Sequence, residues 1–425
     1  MEANIEIAQS LFKQNKYQEA IDTCTQILAT DTNSIEALKL IAKSFLATRK
    51  IDDARLYFNK ALDIKSDDYE STKYLGNTYQ AIGDINTAKN YYQKALSING
   101  NYAPALTNLG SFELKTGHKQ EALSLLIKAT EYDPKLAPAW GNLANGYVQF
   151  GKTQEAEIAC RKSIELNPSL FNSHFLLGTI LLGQKRLKEA EQSLRKTIEL
   201  NPNFFQAHLN LGAVLKDLGK LQEAELSYRK AIKLNPGYVG AVFNLCGLAN
   251  TIEEAQERIN QCLKIDENFL YAKLTLSALK LHQGDQFLFN NLMESSHKDH
   301  PITRSIKWVS TLPKLPELFF NSWALFDSMT KKSKKDRPFY EFGVWRGESF
   351  KYLINTFKKG YGFDTFEGLP EDWHDEKQGR YSAEGTIPNI DGGTFIAGKF
   401  EETLPTFYSQ PRPMASIINF DADLY

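Results

Sequence analysis

Residues 205–238 have the sequence FQAHLNLGAVLKDLGKLQEAELSYRKAIKLNPGY, and units of this kind follow one another from the beginning of the chain. The pair Asn235-Pro236 is preceded by Asn201-Pro202 and by Asn167-Pro168, so the period is 34 residues (235 − 201 and 201 − 167). Asp133-Pro134 keeps the same phase. A period of this length predicts a solenoid of stacked helix pairs.

Small residues recur at fixed places within each unit. With the proline as position 32, position 20 is alanine in all seven units: Ala20, Ala54, Ala88, Ala122, Ala156, Ala190 and Ala224. We expect these alanines to be buried where neighbouring helices approach closely. Glycines fall in the turn between the paired helices, where a positive φ suits glycine: Gly83, Gly117, Gly151 and Gly219. The proline ends the second helix because it cannot continue one.

These residues resemble the tetratricopeptide repeats, and so do the Leu-Gly pairs at positions 7 and 8: Leu75-Gly76, Leu109-Gly110, Leu177-Gly178 and Leu211-Gly212. The resemblance covers roughly 1–238 as seven units. An eighth unit at 239–269 is shortened in its turn, and residues 270–296 form an eroded ninth pair that caps the array. The resemblance therefore implies an α-solenoid over 1–269, followed by capping helices and a linker over 270–337.

A solenoid of this kind presents a concave groove lined by the first helix of each pair. Four asparagines share position 6, and Leu176 interrupts the series: Asn108, Asn142, Asn210 and Asn244. We expect their amides to bind the backbone of an extended peptide from a protein partner. The solenoid of the O-linked N-acetylglucosamine transferases is similar in this respect. Alternatively, asparagine is merely frequent at this position. His174 and His208, at position 4, are expected to be packing residues.

Composition limits the classes of partner. The chain has 425 residues and a formal net charge of −1, which gives no indication of a nucleic-acid partner. No apolar run approaches the roughly 20 residues of a membrane span, and the N-terminus lacks the features of a signal peptide. These observations favour a cytoplasmic location. The cysteines form no metal-type pair and are expected to be buried, reduced thiols: Cys24, Cys160, Cys246 and Cys262.

The period is lost from about residue 297. His297 and His300 have a spacing that metal ligands can use, but we interpret them as part of a linker. Residues 316–329 predict an apolar helix opened by Pro316, and the lysines at 331–335 suit its C-terminus.

Beyond the linker, at 338–425, the pattern predicts a doubly wound α/β domain. Strands are expected at 338–344, 360–364, 394–398 and 415–421, with a helix at 349–359 that has Ser349 as its N-cap. Residues 371–393 are too irregular for a helix and predict a mobile lid, in which His374 is an ordinary loop residue.

Acids and glycines follow these predicted strands. Glu341, Gly343 and Gly347 follow the first strand, and Asp364 ends the second. Gly398 and Phe400 follow the third strand, and Asp421 and Asp423 follow the fourth. The carboxyl ends of parallel strands form cofactor sites, so we expect a nucleotide-like cofactor there. Asp364 would bind ribose hydroxyls, and Phe400 would contact an adenine.

The sequence segments around these residues resemble those of S-adenosylmethionine-dependent methyltransferases of the macrocin O-methyltransferase type, over about 310–425. The resemblance implies that Glu341, Gly343, Gly347 and Asp364 hold S-adenosylmethionine, with Ser349, Gly398 and Phe400 completing the site. Asp421 would bind Mg²⁺ and act as the base on a sugar or glycoconjugate hydroxyl, with Asp423 as an auxiliary ligand. Further metal-binding acids of that family lie beyond the fourth strand, so a chain that stops at Tyr425 is expected to be truncated.

Three functions remain open at this point. The first is a metal-assisted O-methyltransferase whose solenoid recruits a partner or carrier. The second is a protein-interaction scaffold with an incomplete, inactive methyltransferase domain. The third is a glycosyltransferase that uses Asp421 and Asp423 as a D-x-D pair, although the Glu341 turn and the Asp364 strand end argue against it.

Overall fold

A computed structural model of the chain describes residues 2–312, 315, 317–344, 347–367, 383 and 385–420. These residues form twenty-two α-helices and four β-strands. The chain divides into two compact units. The N-terminal unit comprises Met1–Ile180 with Lys196–Pro202, and the C-terminal unit comprises Leu181–Arg195 with Asn203–Tyr425.

Helix pairs make up the N-terminal unit. From the second repeat to the fifth, the first helix of each pair has 13 residues and the second has 14. The helices are α1 (Glu2–Lys13), α2 (Tyr17–Thr30), α3 (Ile35–Ala47), α4 (Ile51–Ile64), α5 (Tyr69–Ala81), α6 (Ile85–Ile98), α7 (Ala103–Lys115), α8 (Lys119–Tyr132), α9 (Ala137–Gln149) and α10 (Thr153–Leu166). The boundary between the units falls within α11 (Phe171–Gly183) and α12 (Leu187–Leu200).

Small residues let the two helices of a pair lie close together, as the sequence predicted. The position-20 alanines of the first five repeats are at most 2% exposed. Gly76, at position 8, lies against the buried ring of Tyr92, and a Cβ at this glycine would be 2.6 Å from the Cε1 atom of the ring. Gly110 faces Leu126 in the same way, at 2.7 Å. A larger residue at position 8 would therefore force the helices apart.

The turns explain why asparagine or aspartate precedes the proline. The Oδ1 atom of Asp133 accepts a hydrogen bond from the Lys135 N–H at 3.0 Å, and Asn167 accepts one from Ser169 at 3.0 Å. Such a side chain closes a turn on its own backbone, so both members of the Asn-Pro pair stop the helix. The glycines between paired helices have the predicted positive φ, at 83° for Gly83 and 88° for Gly117.

Position 4 is a packing position, which confirms the prediction for the histidines. Trp140 donates its indole N–H to the carbonyl oxygen of Pro134 at 2.9 Å. The Nε2 atom of His174 lies at the same distance from the carbonyl oxygen of Pro168. His208 is buried, with 9% of its surface exposed.

Further helix pairs begin the C-terminal unit. They are α13 (Phe205–Asp217), α14 (Leu221–Leu234), α15 (Val239–Cys246), α16 (Ile252–Ile265), α17 (Leu270–His282) and α18 (Phe287–Glu294). The eighth pair is shortened in its first helix and not, as predicted, in its turn, because α15 has 8 residues where α13 has 13. Two single helices follow, α19 (Pro301–Ser310) and α20 (Ser322–Lys332). No helix within the described ranges is long and apolar enough to cross a membrane.

The segment before α20 packs against the shortened repeat. Pro316, the predicted helix start, lies outside the described residues, but residues 317–321 are not helical and α20 begins at Ser322 with Asn321 as its N-cap. Leu318 and Phe320 pack against the core around Cys246, and the Asn321 amide lies 3.4 Å from the carbonyl oxygen of Gly247. Trp323 donates its indole N–H to the carbonyl oxygen of Lys216 at 2.8 Å. The described residues of this segment therefore cover part of the apolar core of the eighth repeat.

A small parallel sheet lies near the C-terminus. Its strands are β1 (Phe339–Phe342), β2 (Gly360–Asp364), β3 (Gly393–Ala397) and β4 (Ile417–Phe420), in the order β3-β2-β1-β4. α21 (Glu348–Phe357) packs on one face through Phe350 and Phe339. α22 (Phe400–Tyr408) packs on the other face through Phe407 and Tyr340.

The four thiols are free and buried, as expected. Burial raises the pKa of the Cys24 thiol to about 11 and that of the Cys160 thiol to about 12, so both are protonated at neutral pH. They act as small apolar residues of the helix core.

Candidate functional site

The asparagine series begins with a hydrogen-bonded pair in the N-terminal unit. The Asn108 amide donates to the Oδ1 atom of Asn77 at 2.7 Å. The hydroxyl of Tyr92 lies 3.0 Å from the same oxygen and 2.6 Å from Gln80 Oε1. One amide donor of Asn108 is therefore already used within the protein. Asn77, about one helical turn beyond position 6 of its own repeat, was not among the predicted site residues.

The other asparagines lie at equivalent places on their helices. Asn142 on α9 is half-buried, and its side chain makes no hydrogen bond to another residue of the described ranges. Asn210 on α13 and Asn244 on α15 are also half-buried, and both belong to the C-terminal unit. Peptide binding by the four residues stays a prediction.

A cluster of lysines lies between the first helices of the second and third repeats. Lys39 on α3 makes an ion pair with Glu70 on α5 at 2.8 Å and lies 3.8 Å from Asp68. Lys43 also makes an ion pair with Glu70. Burial favours the neutral carboxyl, but hydrogen bonds from both lysines prevail and hold the pKa of Glu70 below its ordinary value. Glu70 therefore remains charged and is shared by two cations.

Lys73, one turn along α5 from Glu70, is the least exposed of the three lysines, at 8%. Its Nζ atom lies 3.9 Å from the centre of the Tyr74 ring, and Lys43 Nζ lies 4.9 Å from it. Burial, and next the charge of Lys43, lower the pKa of Lys73 to about 8. The signal that could have revealed this cluster is the lysine at position 5 of two successive repeats, Lys39 and Lys73.

In the C-terminal unit, Glu341 is the centre of a buried polar group at the end of β1. The Glu341 side chain is fully buried and accepts hydrogen bonds from the Ser349 hydroxyl and, at 2.8 Å, from the Asn419 amide. The prediction that Ser349 caps α21 is wrong. Gly347 is the N-cap, with φ 75°, because this left-handed position favours glycine and Ser349 is turned toward the sheet.

The predicted glycine turn also lies at this edge of the sheet. Gly343 has φ 86° and donates its N–H to Phe363 at 2.9 Å. A Cβ at Gly347 would lie 3.0 Å from the Cδ1 atom of Ile390. A cavity of about 570 Å³ is lined by residues that include Ile390, Asn389 and Lys351.

Asp364, at the end of β2, organises the loop that follows. Its Oδ1 atom accepts the N–H of Phe366 at 2.7 Å, and its carbonyl oxygen accepts the N–H of Gly398 at 3.0 Å. Phe366 is fully buried with φ 59°, a strained conformation for a non-glycine residue. Such strain is found preferentially at functional sites.

The predicted cofactor-binding residues do not all lie on the same face of the sheet. The Phe400 ring packs edge-on to Phe342 at 5.8 Å, on the face of the sheet opposite Glu341. Its contact with an adenine stays a prediction. Asp421, Asp423 and His374 lie outside the described residues, as does most of the predicted lid. Asp421 and Asp423 are also the D-x-D pair on which the glycosyltransferase alternative rests.

The stacked helix pairs define an α-solenoid repeat protein with a small α/β segment. Models of the tetratricopeptide repeat match residues 11–75, 80–144, 137–170, 171–204 and 205–238. The N-terminal region of the chain therefore belongs to the tetratricopeptide repeat family, which confirms the resemblance inferred from its residues. No curated protein matches the chain.

One solved structure has a similar helical fold. The chain is similar to one in the crystal structure of the APC/C hetero-tetramer Cut9-Hcn1, at 16% identity and a TM-score of 0.53. That match covers 64% of this chain and 54%, about half, of the other. The chain also matches YrrB, a TPR protein with an unusual peptide-binding site, at 25% identity and a TM-score of 0.38, over 43% of this chain and 95% of YrrB.

Proposed function

We propose that the protein is an interaction scaffold whose repeats bind an extended peptide segment of a protein partner. The observation that carries the proposal is the set of half-buried polar side chains on the first helices of successive repeats, above all Asn142 and the Asn77–Asn108 pair. Half-buried amides hold their position through packing, and each offers donors and an acceptor. An extended backbone presents unpaired N–H and C=O groups that match such amides.

The test is a selection of random peptides on the purified full-length chain, followed by affinity measurement on the enriched peptides. Asn142→Ala is expected to weaken binding by about threefold to tenfold, the value of one net hydrogen bond. Asn90→Ala, an exposed asparagine on the second helix α6, is the matched control and should leave affinity unchanged. Failure to enrich any peptide, or equal effects of the two substitutions, would contradict the proposal.

A second candidate function concerns the C-terminal sheet. The support for it is the buried Glu341 group, the left-handed glycines Gly343 and Gly347, and Asp364 at the neighbouring strand end. We infer that these residues bind S-adenosylmethionine, because a buried carboxylate suits an ammonium group and a carboxylate at the second strand end suits ribose hydroxyls. The glycines leave room for the cofactor to approach the backbone.

The cofactor would supply an activated methyl group, and the protein would orient it toward an acceptor. In this proposal the acceptor is a sugar or glycoconjugate hydroxyl, and Mg²⁺ bound by Asp421 and Asp423 would lower the pKa of that hydroxyl. Asp421 would then remove the proton. The alternative is the incomplete, inactive methyltransferase domain that the sequence analysis left open.

Calorimetry with S-adenosylmethionine tests this candidate. Asp364→Asn keeps an oxygen acceptor for the Phe366 N–H but removes the charge, and it should weaken binding by about tenfold or more. Asp391→Asn, at an exposed aspartate just before β3, is the control and should bind normally. Absence of any binding heat in the unsubstituted chain would exclude the candidate and favour the scaffold alone.

A further inference from the structure

The eighth repeat has two cysteines in one buried core. Cys246 is the last residue of α15 and is 5% exposed, and Cys262 on α16 is fully buried. Both side chains belong to the cluster in which Val242 and Ile259 also pack, where α15 lies against α16. A hydrogen bond joins the two thiols, and Cys246 is its donor.

This repeat differs from the others in having a cysteine on each helix of the pair. At position 8, the position of Cys246, the seven preceding repeats have only alanine or glycine: Ala8, Ala42, Gly76, Gly110, Ala144, Gly178 and Gly212. Because α16 begins 31 residues after α14 (252 − 221), Cys262 corresponds to Ala231. Cys24 and Cys160 belong to the first and the fifth repeat, so neither shares a repeat with another cysteine.

The contact between the two thiols makes one of them more acidic. The hydrogen bond from Cys246 outweighs burial and lowers the pKa of Cys262, whereas burial raises the pKa of Cys24 and of Cys160. The thiolate is the form of cysteine that attacks an oxidant. Cys262 is therefore the thiol that reacts first, and Cys246 keeps its proton beside it.

We propose that Cys246 and Cys262 form a reversible disulfide by reducing a hydroperoxide. The Cys262 sulfur attacks one peroxide oxygen, so that an S–O bond forms, the O–O bond breaks and the departing oxygen takes up the proton that Cys262 has lost. The Cys246 sulfur then attacks the sulfur of this sulfenic acid. The S–S bond forms, the S–O bond breaks, and the hydroxyl group leaves as water with the Cys246 proton. With hydrogen peroxide, the thiols lose two electrons and two protons, and two water molecules form.

The pair lies beneath the segment that precedes α20. Leu318 and Phe320 pack against the same cluster. The Asn321 amide lies 3.4 Å from the carbonyl oxygen of Gly247, the residue after Cys246. A helix of 8 residues has few internal hydrogen bonds, so the end of α15 opens readily and admits a small oxidant. The disulfide would fasten this end to α16 and hold the surface on which the segment packs.

The test treats the native full chain with hydrogen peroxide, blocks the remaining thiols and maps disulfides by mass spectrometry after trypsin digestion. Cleavage after Arg258 separates the two cysteines, so their disulfide joins peptides 234–258 and 259–264. The joined species is about 2 Da lighter than the sum of the two peptides, because two thiol hydrogens are lost. We expect this species to form and to disappear on reduction with dithiothreitol. Hydrogen exchange at the α15 amides should be slower by about tenfold in the oxidised chain.

Four variants identify the sulfurs. Cys246→Ala and Cys262→Ala each introduce the residue that another repeat has at the equivalent place, so both should fold, as circular dichroism would verify. Each should abolish the joined species. Cys24→Ala and Cys160→Ala also remove a buried thiol, and they are the matched controls that should leave the joined species unchanged.

Absence of the joined species after peroxide treatment would overturn the proposal, as would oxidation of Cys24 or Cys160 at the same rate as the pair. A link between Cys246 and Cys262 that forms only in urea would also overturn it, because the native core would then not bring the sulfurs together. Unchanged hydrogen exchange in the oxidised chain would contradict the fastening of α15 to α16.

Discussion

Gly212→Val is expected to lower the free energy of unfolding of the C-terminal unit by about 3 kcal/mol, the upper part of the range for an overfilled core. Gly212 is at position 8 of its repeat, on α13. A Cβ there would lie 2.6 Å from both the Cδ1 and Cε1 atoms of Tyr228. Tyr228 is fully buried, so its ring has no free space into which it can move. Chemical denaturation measures the loss.

Gly183→Val is the matched control for this prediction. Gly183 is the last residue of α11, is exposed, and has no atom within 4 Å of a Cβ built on it. The same substitution there should change stability by less than about 1 kcal/mol, since valine is no worse than glycine in a helix. Equal effects at the two positions would show that helix propensity and not the contact with Tyr228 decides the outcome.

Lys73→Met is expected to stabilise the N-terminal unit by about 2 kcal/mol at pH 7. A pKa lowered from 10.5 to about 8 means that burial of the protonated lysine and its repulsion by Lys43 together cost about 3 kcal/mol, at 1.36 kcal/mol for each pKa unit. Methionine has a similar shape and no charge. It forfeits the contact of the ammonium with the Tyr74 ring, which is worth about 1 kcal/mol.

The pH dependence distinguishes this cause from simple repacking. Between pH 8 and 10.5 the unfolded chain keeps the Lys73 proton that the folded chain has released, so the unsubstituted protein gains stability as the pH rises. The advantage of Lys73→Met should therefore shrink over this range and disappear near its upper end. Denaturation curves at pH 7 and pH 10 test this, with Lys128→Met as the control. A constant advantage would refute the electrostatic explanation.

The repeat architecture was predictable because each repeat makes the same local contacts. Ala20 and its equivalents fill one packing position, and the Asn-Pro pairs end each second helix through the chain's own geometry. The strands were predictable for a similar reason, since three of the four residues of β1 are aromatic and all four are buried. Neither prediction requires knowledge of which residues far apart in the sequence are in contact.

The errors arose where distant contacts override local preference. Ser349 has the chemistry of an N-cap, but Glu341 draws its hydroxyl toward the sheet and Gly347 takes the cap. The helix predicted for 316–329 begins only at Ser322, and Leu318 and Phe320 before it pack against the core of the eighth repeat. Asn108 stays a predicted peptide contact, and the structure adds that its amide donates a hydrogen bond to Asn77 on the neighbouring repeat.

By itself, the sequence of this protein determined the solenoid, its turns and the positions of the strands along the chain, because helix periodicity and turn chemistry act over a few residues. Only the tertiary structure decided that Lys39, Lys43 and Lys73 surround two carboxylates and that Glu341 is buried between Ser349 and Asn419. Burial and charge balance depend on neighbours tens of residues away, and those neighbours set the pKa of a lysine and the strength of a site.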